Sequence, residues 1–194
     1  MAYENASNQR KEMIASGFKE MLQRKSLSKI SVSELTRQCG VNRKTFYYHF
    51  EDIYALLKWT MEQETFNIIR QYDVTVNYDR IIGCVIDYMD KNHTMLYNIY
   101  DSMGRNQLHN VFFVNMRGVM ESLIDGATKA EGYRITDEYK TFLIDFYTEG
   151  IVGSIMQEIS KPTQHRKEIL SSYVFVTFRG GILKSLQDAQ ESNL

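Results

Sequence analysis

The sequence predicts an all-α protein, and three observations carry that prediction. Apolar residues recur at spacings of three and four along most of the chain, which is the period of a helix. No segment keeps the alternation of apolar and polar residues that a half-buried strand requires. The 194 residues include 1 proline and 11 glycines, so few residues interrupt a helix. We therefore expect long helices and no sheet.

The composition is that of a globular protein, with 43% hydrophobic and 24% charged residues. The N-terminal stretch MAYENASNQRKEM lacks the apolar core of a signal peptide, and no run of about 18 apolar residues occurs. Cys39 and Cys84 form neither a disulfide framework nor a metal-binding spacing, which suits a reducing compartment. We expect a cytoplasmic protein with no membrane span.

The first helix is predicted over about residues 6–25. Ile14, Phe18 and Leu22 are spaced by four within it, so they share one face and form an apolar stripe. The segment KSLSKI follows and breaks the helical pattern.

Two short helices come next. Ser31 is an N-cap residue, and Glu34 three positions later completes the pattern of a capping box. Gly40 is the glycine expected just after a helix C-terminus. Asn42 is a favourable N-cap for a second short helix, from Arg43 to about Phe50.

The fourth helix is expected to begin at Glu51, with Glu51 and Asp52 as acidic residues in its first turn. Thr136 is the predicted N-cap of a later helix, and Pro162 follows its end. Five further helices are predicted from apolar spacing, over about residues 78–91, 95–103, 107–129, 136–160 and 166–189.

The two short helices that meet at Gly40 have the pattern of a helix-turn-helix. In DNA-binding versions, the second helix lies in the major groove and its N-terminal residues reach base edges. That terminus carries two cations and a hydroxyl, which suit bases or phosphates: Arg43, Lys44 and Thr45. Phe46 and Phe50 are four residues apart, so they share a face and are expected to pack inward.

The other side chains of this helix, Tyr47, Tyr48 and His49, lie off the phenylalanine face and can hydrogen-bond phosphates. Up to Lys58 the chain has 10 Lys and Arg against 6 Asp and Glu, which leaves 13 of 23 against 18 of 24 for the remainder. A basic front and an acidic rear predict different partners for the two parts. The alternatives are ordinary charge scatter and an aromatic core helix in a protein that does not bind DNA.

The run ISVSELTRQCGVNRKTFYYHFEDIYALLKW resembles the DNA-binding domain of the TetR family of bacterial transcriptional regulators. The shared pattern is a short helix, then Cys-Gly-Val-Asn and Thr-Phe-Tyr-Tyr-His-Phe, then an apolar helix, and it covers about residues 8–60. The resemblance implies an N-terminal three-helix helix-turn-helix domain, residues 1–55. It implies a larger helical ligand-binding and dimerisation domain for residues 56–194.

The resemblance also assigns DNA contacts. It implies that Ser33, Arg43 and Lys44 read bases or the nearby backbone. Four side chains take phosphate-contacting positions: Thr45, Tyr47, Tyr48 and His49. Many members carry lysines after the final phenylalanine, where this chain has Glu51 and Asp52. More of the affinity is therefore expected from the remaining cations: Lys29, Arg37, Arg43 and Lys44.

The resemblance implies a homodimer on double-stranded, palindromic operator DNA, with an unknown small-molecule effector that alters its DNA affinity. Repression is the expected mode, because most members repress. Three alternatives remain: an activator, a metal-responsive regulator using His93 and His109, and a helical module that binds a protein. The continuation LLKWTMEQE resembles a subgroup that includes activators of dihydroxyacetone-kinase operons.

Two sets of side chains are predicted for residues 56–194. Glycine inside a helix costs about 1 kcal/mol, so the glycines of the last two helices indicate close packing against a second copy. The expected dimer contacts are Phe146, Gly150, Gly153, Ser154, Tyr173, Gly180 and Leu183. Adaptable methionines and amphipathic aromatic residues predict the ligand contacts Tyr97, Tyr100, Met103, Phe113, Met116 and Tyr147. Both sets have a plainer alternative, the internal core of one chain.

Enzyme signatures are absent from the sequence. It has no G-x-S-x-G, no phosphate-binding loop, no H-E-x-x-H and no telling Cys–His arrangement. We expect no enzyme, no catalytic residue, no metal site and no cofactor.

Overall fold

A computed structural model describes residues 2–70, 78–161, 167–192 and 194. These residues fold into nine α-helices and one 3₁₀ turn (Leu27–Lys29), with no strand among them, which confirms the all-α prediction. The helices are α1 (Ala2–Leu22), α2 (Val32–Gln38), α3 (Arg43–His49), α4 (Ile53–Arg70), α5 (Tyr78–Lys91), α6 (His93–Met103), α7 (Arg105–Glu131), α8 (Asp137–Ile159) and α9 (Lys167–Ser192).

The stripe on α1 forms the core of the N-terminal unit, which comprises α1, α2 and α3. Ile14, Phe18 and Leu22 are all buried, as their spacing predicts. Leu35 from α2 and Phe46 from α3 are completely buried in the same cluster. Each such side chain contributes about 1.5–3 kcal/mol by leaving water, so these few residues hold the three helices together.

The cap of α2 is half of the expected capping box. The Ser31 hydroxyl accepts a hydrogen bond from the Glu34 backbone N–H at 3.2 Å. The Glu34 carboxylate does not return to Ser31, because it pairs with the ammonium group of Lys25 instead. Gly40 has a φ of +65°, the left-handed conformation that glycine adopts without strain. The turn between α2 and α3 therefore forms where the sequence places it.

The cap of α3 agrees with the prediction. The Asn42 side-chain oxygen accepts from the Thr45 backbone N–H at 2.8 Å and from the Thr45 hydroxyl at 3.1 Å. The helix ends at His49, one residue before the expected end, and Phe50 is extended with φ −139°. Phe46 and Phe50 are both buried, so the predicted inward face of α3 is correct.

The start of α4 differs from the prediction. Glu51 and Asp52 precede the helix rather than occupying its first turn, since α4 begins at Ile53. The Asp52 carboxylate accepts from the Ala55 backbone N–H at 2.7 Å. An aspartate placed before a helix satisfies a free N–H of the first turn directly, and that explains the later start.

The segment after α1 links the N-terminal unit to α6. The helix α1 ends at Leu22, three residues before its predicted end, and the 3₁₀ turn that follows was not predicted. The Asn98 side-chain amide donates to the Leu22 carbonyl oxygen at 2.7 Å. The Ser28 backbone N–H donates to the Ser102 hydroxyl at 3.1 Å. Side chains of α6 thus satisfy backbone groups at the end of α1 and in the 3₁₀ turn.

The remaining helices pack around a continuous apolar core. The long helix α7 lies along α8, and α5 packs against α9. An ion pair joins α7 to α8 between Arg117 Nε and Asp145 Oδ1 at 2.8 Å. The predicted N-cap Thr136 is confirmed, because its hydroxyl accepts from the Tyr139 backbone N–H at 3.2 Å. Pro162 lies outside the described residues. No helix within the described ranges is long and apolar enough to cross a membrane.

Gly17 lies close to α2 and its C-cap Cys39, and Gly17→Ala is expected to destabilise the protein by about 1–2 kcal/mol. A methyl group on Gly17 would lie 2.5 Å from Cys39 Sγ, so one of the two groups must move. Cys39→Ala removes that sulfur and so makes room for the new methyl group. Inside a helix, alanine at position 17 is then favoured over glycine by about 1 kcal/mol. In the Cys39→Ala background, Gly17→Ala is therefore expected to stabilise.

A double-mutant cycle measured by urea denaturation tests this reversal of sign. If Gly17→Ala costs the same free energy of unfolding in both backgrounds, the close approach does not limit that position.

Candidate nucleic-acid interface

The first turn of α3 presents two cations to solvent. Arg43 and Lys44 are exposed, directly after the Asn42 cap. The Arg43 guanidinium lies 5.9 Å from the centroid of the Tyr47 ring, a cation–π distance that orients the arginine along the helix. Both groups can form the bidentate or point-charge contacts that guanine and phosphate accept.

The tyrosines of α3 point outward from a packed aromatic base. Tyr47 is 49% exposed and Tyr48 is 67% exposed, while Phe46, on the inward face of α3, is 0% exposed. The Tyr47 ring meets the Phe46 ring edge to face at 5.4 Å, and Tyr48 meets His49 in the same way at 4.9 Å. These contacts leave both tyrosine rings at the surface, as the helical periodicity predicts.

A groove of about 450 Å³ lies between α1 and α3. It brings together four of the predicted DNA contacts, namely Lys44, Thr45, Tyr48 and His49, and it also includes Asn42. The opposite wall is formed by α1, through Ala6, Ser7 and Arg10. The groove therefore combines cations, hydroxyls and an imidazole, a set of groups that suits a phosphate.

Arg10 was missed in the sequence, although one signal was available. Arg10 lies one helical turn before the buried Ile14, in the basic pair Arg10–Lys11. Spacing alone places Arg10 near the start of α1. Only the packing of α1 against α2, which in turn packs against α3, brings Arg10 to the groove.

The cations of the Arg10–Lys11 pair affect the pKa of His49. Its pKa is lowered from the ordinary value of 6.5 by burial first, then by the positive charges of Lys11 and Arg10. At neutral pH its imidazole is therefore mostly uncharged, and it can donate one hydrogen bond and accept another.

Three predicted contacts lie outside the lining of this groove: Arg43, Tyr47 and Ser33, of which Ser33 lies on α2. The Ser33 side chain is exposed, and its carbonyl oxygen accepts from the Thr36 hydroxyl at 3.2 Å. Ser33 does not line the groove between α1 and α3.

A second groove, of about 350 Å³, lies on the other side of α3 and includes Tyr47 and Tyr54. Glu51 and Asp52 line it, so this side of the surface is acidic. The two grooves therefore differ in charge, since Arg10 and Lys44 line the first and Glu51 and Asp52 line the second.

The predicted ligand contacts are dispersed in the structure. Met116 lines a small cavity between α4, α5 and α7, of about 30 Å³. Tyr97 stacks on His93 at 6.3 Å, and Phe113 stacks on His109 at 6.2 Å. Three further predicted contacts lie elsewhere than in the lining of this cavity: Tyr100, Met103 and Tyr147. Tyr100 and Met103 are half-buried against the core.

Tyr147 is buried where α8 meets α9. Its hydroxyl lies 3.2 Å from the Ser185 hydroxyl, and its ring centroid lies 5.3 Å from that of Phe178. A Cβ atom on Gly181 would lie 2.7 Å from the Tyr147 oxygen, so the glycine makes room for this ring. The position of Tyr147 supports a packing role between the two helices.

An exposed apolar stripe runs along α8 and α9, and we call it the α8–α9 face. Its large members are Phe142, Phe146, Tyr173 and Val176, each more than half exposed. Two exposed glycines continue it, Gly150 and Gly180, with the half-exposed residues Gly153, Ser154 and Leu183. Among the described residues, a methyl group on Gly153 or Gly180 would meet no atom within 4 Å apart from those of its own stretch of helix. Packing among the described residues of one chain therefore does not require either glycine.

Metal-binding groups do not cluster in the part of the chain that the structure describes. Within residues 2–70, 78–161 and 167–192, no group of three or more His, Cys, Asp or Glu is placed to hold an ion. His109 instead pairs with Glu149 at 2.9 Å, which joins α7 to α8.

Family models match two parts of the chain. Residues 16–58 match the model described as "Bacterial regulatory proteins, tetR family". Residues 77–180, more than half of the chain, match a model described as "Transcriptional regulator C-terminal region". The first match contains the whole helix-turn-helix, and the second contains α5 to α8 and part of α9.

Individual proteins are also similar. The HTH-type dhaKLM operon transcriptional activator DhaS of Lactococcus lactis subsp. lactis (strain IL1403) is 23% identical over 148 residues, which is 76% of this chain and 78% of that protein. A structure of the dihydroxyacetone kinase operon activator DhaS superposes with a TM-score of 0.72 at 19% identity, over 93% of this chain and 98% of that chain. A TetR transcriptional regulator from Streptococcus agalactiae 2603V superposes with a TM-score of 0.59 at 21% identity, over 91% and 97%. The structural likenesses show a common fold.

Proposed function

This chain belongs to the TetR family of bacterial transcriptional regulators, and from that premise we propose that it binds palindromic operator DNA as a homodimer whose affinity a small-molecule effector alters. Residues 1–55 form the DNA-binding domain in this proposal, and residues 56–194 form the ligand-binding and dimerisation domain. The observation that carries it is the outer surface of α3, where exposed cations and tyrosines stand on a buried aromatic base.

Each side chain of that surface has a proposed role. Arg43 and Lys44, at the N-terminus of α3, read base edges in the major groove, and Ser33 on α2 contacts bases or the nearby backbone. The phosphate contacts are Thr45, Tyr47, Tyr48 and His49, joined by Arg10 across the groove. The acidic pair Glu51 and Asp52 disfavours a further phosphate on the α4 side.

Dimerisation is part of the mechanism. Two copies of α3 must lie about 34 Å apart to enter successive major grooves of a palindrome. The α8–α9 face is the proposed interface, because large exposed apolar side chains are characteristic of a surface that is covered in the assembly. Each copy supplies the same stripe, as a two-fold interface requires.

The effector is proposed to bind between the helices of the second domain. Met116 is the predicted ligand contact that lines a cavity, and the packing of α6 against the N-terminal unit supplies a route to the DNA-binding surface. Effector binding would change the separation of the two α3 helices and therefore the fit to DNA.

Repression is the proposed mode, and activation is the second candidate. The second candidate is favoured by the similarity to DhaS, which is named as an operon activator. Transcription in vitro from the chain's own promoter distinguishes the two modes. If adding the protein increases the amount of transcript, the protein is an activator and the proposal of repression is wrong.

Binding of the chain's own promoter DNA tests the proposal. We expect tighter binding to this DNA than to a scrambled duplex, and a steep linear fall of log K with log salt, because cations of the protein displace counterions. Equal, weak affinity for both duplexes across the salt series would contradict operator binding.

Two variants separate base reading from phosphate contact. Arg43→Ala is expected to cost about 1–3 kcal/mol on the operator and little on scrambled DNA, since it removes a base contact. Tyr47→Phe removes only a hydroxyl and is expected to weaken binding to both duplexes alike. Fluorescence anisotropy with the two duplexes measures both effects. The same loss on both duplexes for Arg43→Ala would remove its base-reading role.

DNA binding is expected to tighten as the pH falls from about 8 to about 6, by on the order of threefold. In the free protein, burial and the charges of Lys11 and Arg10 lower the pKa of His49. A phosphate beside His49 favours the imidazolium and raises its pKa in the complex, so binding takes up a proton.

Folding has the opposite sign, because a lowered histidine pKa means that the contribution of His49 to stability falls as the pH falls. Circular dichroism at each pH therefore accompanies the anisotropy titrations. His49→Gln is expected to flatten the pH profile while keeping a hydrogen bond to phosphate. An unchanged slope in that variant would assign the proton uptake to another group.

A further inference from the structure

The small cavity between α4, α5 and α7 has an apolar wall and a polar edge. Met61, Met89, Met116 and Phe112 contribute to the wall. With the side chains in place it measures about 30 Å³, space for roughly two water molecules. Methionine side chains have three rotatable bonds and adapt to a guest, so this wall can widen around a small organic molecule.

The polar edge is rich in hydrogen-bond acceptors. The Thr65 hydroxyl donates its hydrogen to the Met61 carbonyl oxygen at 2.9 Å, so its oxygen is left to accept. The Asn115 amide donates to the Val111 carbonyl oxygen at 2.7 Å, and its own oxygen is likewise left to accept. Glu64 adds a carboxylate, which brings a negative charge to the lining.

Tyr88 provides an unsatisfied polar atom in the same lining. Its hydroxyl oxygen is buried and has no hydrogen-bond partner among the described residues. Burial first, and then the negative charge of Glu64, raise the pKa of Tyr88, so the hydroxyl stays protonated. An unpartnered buried hydroxyl costs about 1–3 kcal/mol, which a ligand that bonds to it would recover.

Glu64 connects this cavity to the N-terminal unit. Its carboxylate oxygen lies 2.5 Å from the Lys19 ammonium nitrogen, and Lys19 lies on α1. Both side chains are only partly exposed, at 35% for Lys19 and 23% for Glu64, so the pair is less screened than a surface pair. One carboxylate therefore belongs both to the cavity lining and to a contact with α1.

We propose that this cavity binds a small organic ammonium ion, and that the ion competes with Lys19 for the carboxylate of Glu64. The ammonium group donates hydrogen bonds to Glu64 and to the acceptor oxygens around it, while a short apolar body lies among the methionines. Loss of the Lys19 contact frees α1 and the DNA-binding surface to shift. This inference rests on the proposed effector response and specifies its ligand class and its route.

The probe is n-butylammonium chloride, compared with n-butanol and sodium butyrate, which share its apolar body. Isothermal titration calorimetry of the full chain is expected to show saturable binding of butylammonium at least tenfold tighter than of either analogue. Glu64→Gln keeps the shape but removes the charge, and is expected to weaken butylammonium binding at least tenfold. Glu62→Gln, on the same helix but outside the cavity lining, is the matched control and is expected to leave binding unchanged.

Equal binding of butanol, no saturable binding of butylammonium, or equal affinity of Glu64→Gln and the wild type would overturn the ligand assignment. The link to α1 is tested separately with Lys19→Met, which removes the competing ammonium and is expected to tighten butylammonium binding several-fold. Lys25→Met breaks a comparable pair, with Glu34 inside the N-terminal unit, and is expected to have no effect on it. Unchanged affinity in Lys19→Met would overturn the competition.

Operator binding without any amine is measured on the same preparations. If the protein binds its operator but not butylammonium, the inference fails and the proposed DNA-binding function stands. If operator binding itself is absent, the proposed function fails whatever the amine does.

Discussion

Phe146→Asp is expected to convert the proposed dimer into monomers at micromolar concentration and to weaken operator binding by at least about a hundredfold. Phe146 is 60% exposed in the single chain and stacks on Phe142 at 5.8 Å, so the two rings form one apolar surface. Aspartate at this position would place a charge in the centre of the proposed interface, where it has no partner.

The size of the effect follows from symmetry. A two-fold interface contains each residue twice, so one substitution removes two aromatic contacts and introduces two buried carboxylates. Central aromatic residues of an interface each contribute about 2 kcal/mol or more, and two such losses lower a dimerisation constant by roughly a thousandfold. Operator affinity falls with it, because a monomer can occupy only one half-site.

Sedimentation velocity gives the oligomeric state, and fluorescence anisotropy gives the operator affinity. Val114→Asp is the matched control, because Val114 is 65% exposed on α7 and lies outside the α8–α9 face. The control is expected to remain a dimer and to bind the operator normally. A Phe146→Asp protein that stays dimeric, or a control that dissociates equally, would place the interface elsewhere.

The helix-turn-helix was predictable because its signals are local. The Ser31 and Asn42 caps, the left-handed Gly40 and the inward pair Phe46 and Phe50 each depend on residues within four positions. Local chemistry determines such features, and the structure places all of them where the sequence predicts. The family models then confirm the recognition that those residues supported.

Features that depend on distant contacts were not predictable in the same way. The periodicity of α8 shows which residues share a face, but not which neighbour that face meets. Tyr147 is predicted from the sequence to contact a ligand, and that stays a prediction. Its packing against Phe178 and the Ser185 hydroxyl could not be inferred from the sequence. Similarly, the sequence predicts that Glu34 completes a capping box, but in the structure the Glu34 carboxylate pairs with the ammonium group of Lys25.

The groove between α1 and α3 and the cavity between α4, α5 and α7 also depend on distant contacts. Arg10 reaches the groove of α3 only through the packing of α1, and Glu64 meets Lys19 across 45 positions of sequence. Neither pairing can be inferred from the spacing of residues along the sequence. The proposed roles of Arg10 and Glu64 therefore depend on tertiary contacts.

Phe46→Ala is expected to lower the free energy of unfolding of the N-terminal unit by about 3–5 kcal/mol and to abolish operator binding. Phe46 is 0% exposed and contacts both neighbouring aromatic rings, Tyr47 at 5.4 Å and Phe50 at 5.8 Å. Its removal takes away buried area and leaves a cavity that a seven-residue helix cannot close by moving, because the Asn42 cap fixes one end.

The loss is expected to be confined to one part of the molecule. The α8–α9 face and the core between α7 and α8 do not include Phe46, so the variant should remain a dimer by sedimentation. Thermal unfolding followed by circular dichroism should then show an early transition that the wild type lacks, as the N-terminal unit melts first.

Tyr48→Ala separates folding from DNA contact on the same helix. Tyr48 is 67% exposed, so its truncation should cost little stability, and the proposed phosphate contact predicts a moderate loss of affinity, about tenfold, on operator and scrambled DNA alike. Equal destabilisation by the two substitutions would show that the outward ring also supports the fold. Operator binding retained by Phe46→Ala would show that the aromatic base is not what holds Arg43 and Lys44 in position, since their proposed DNA contacts require an α3 that is fixed to α2.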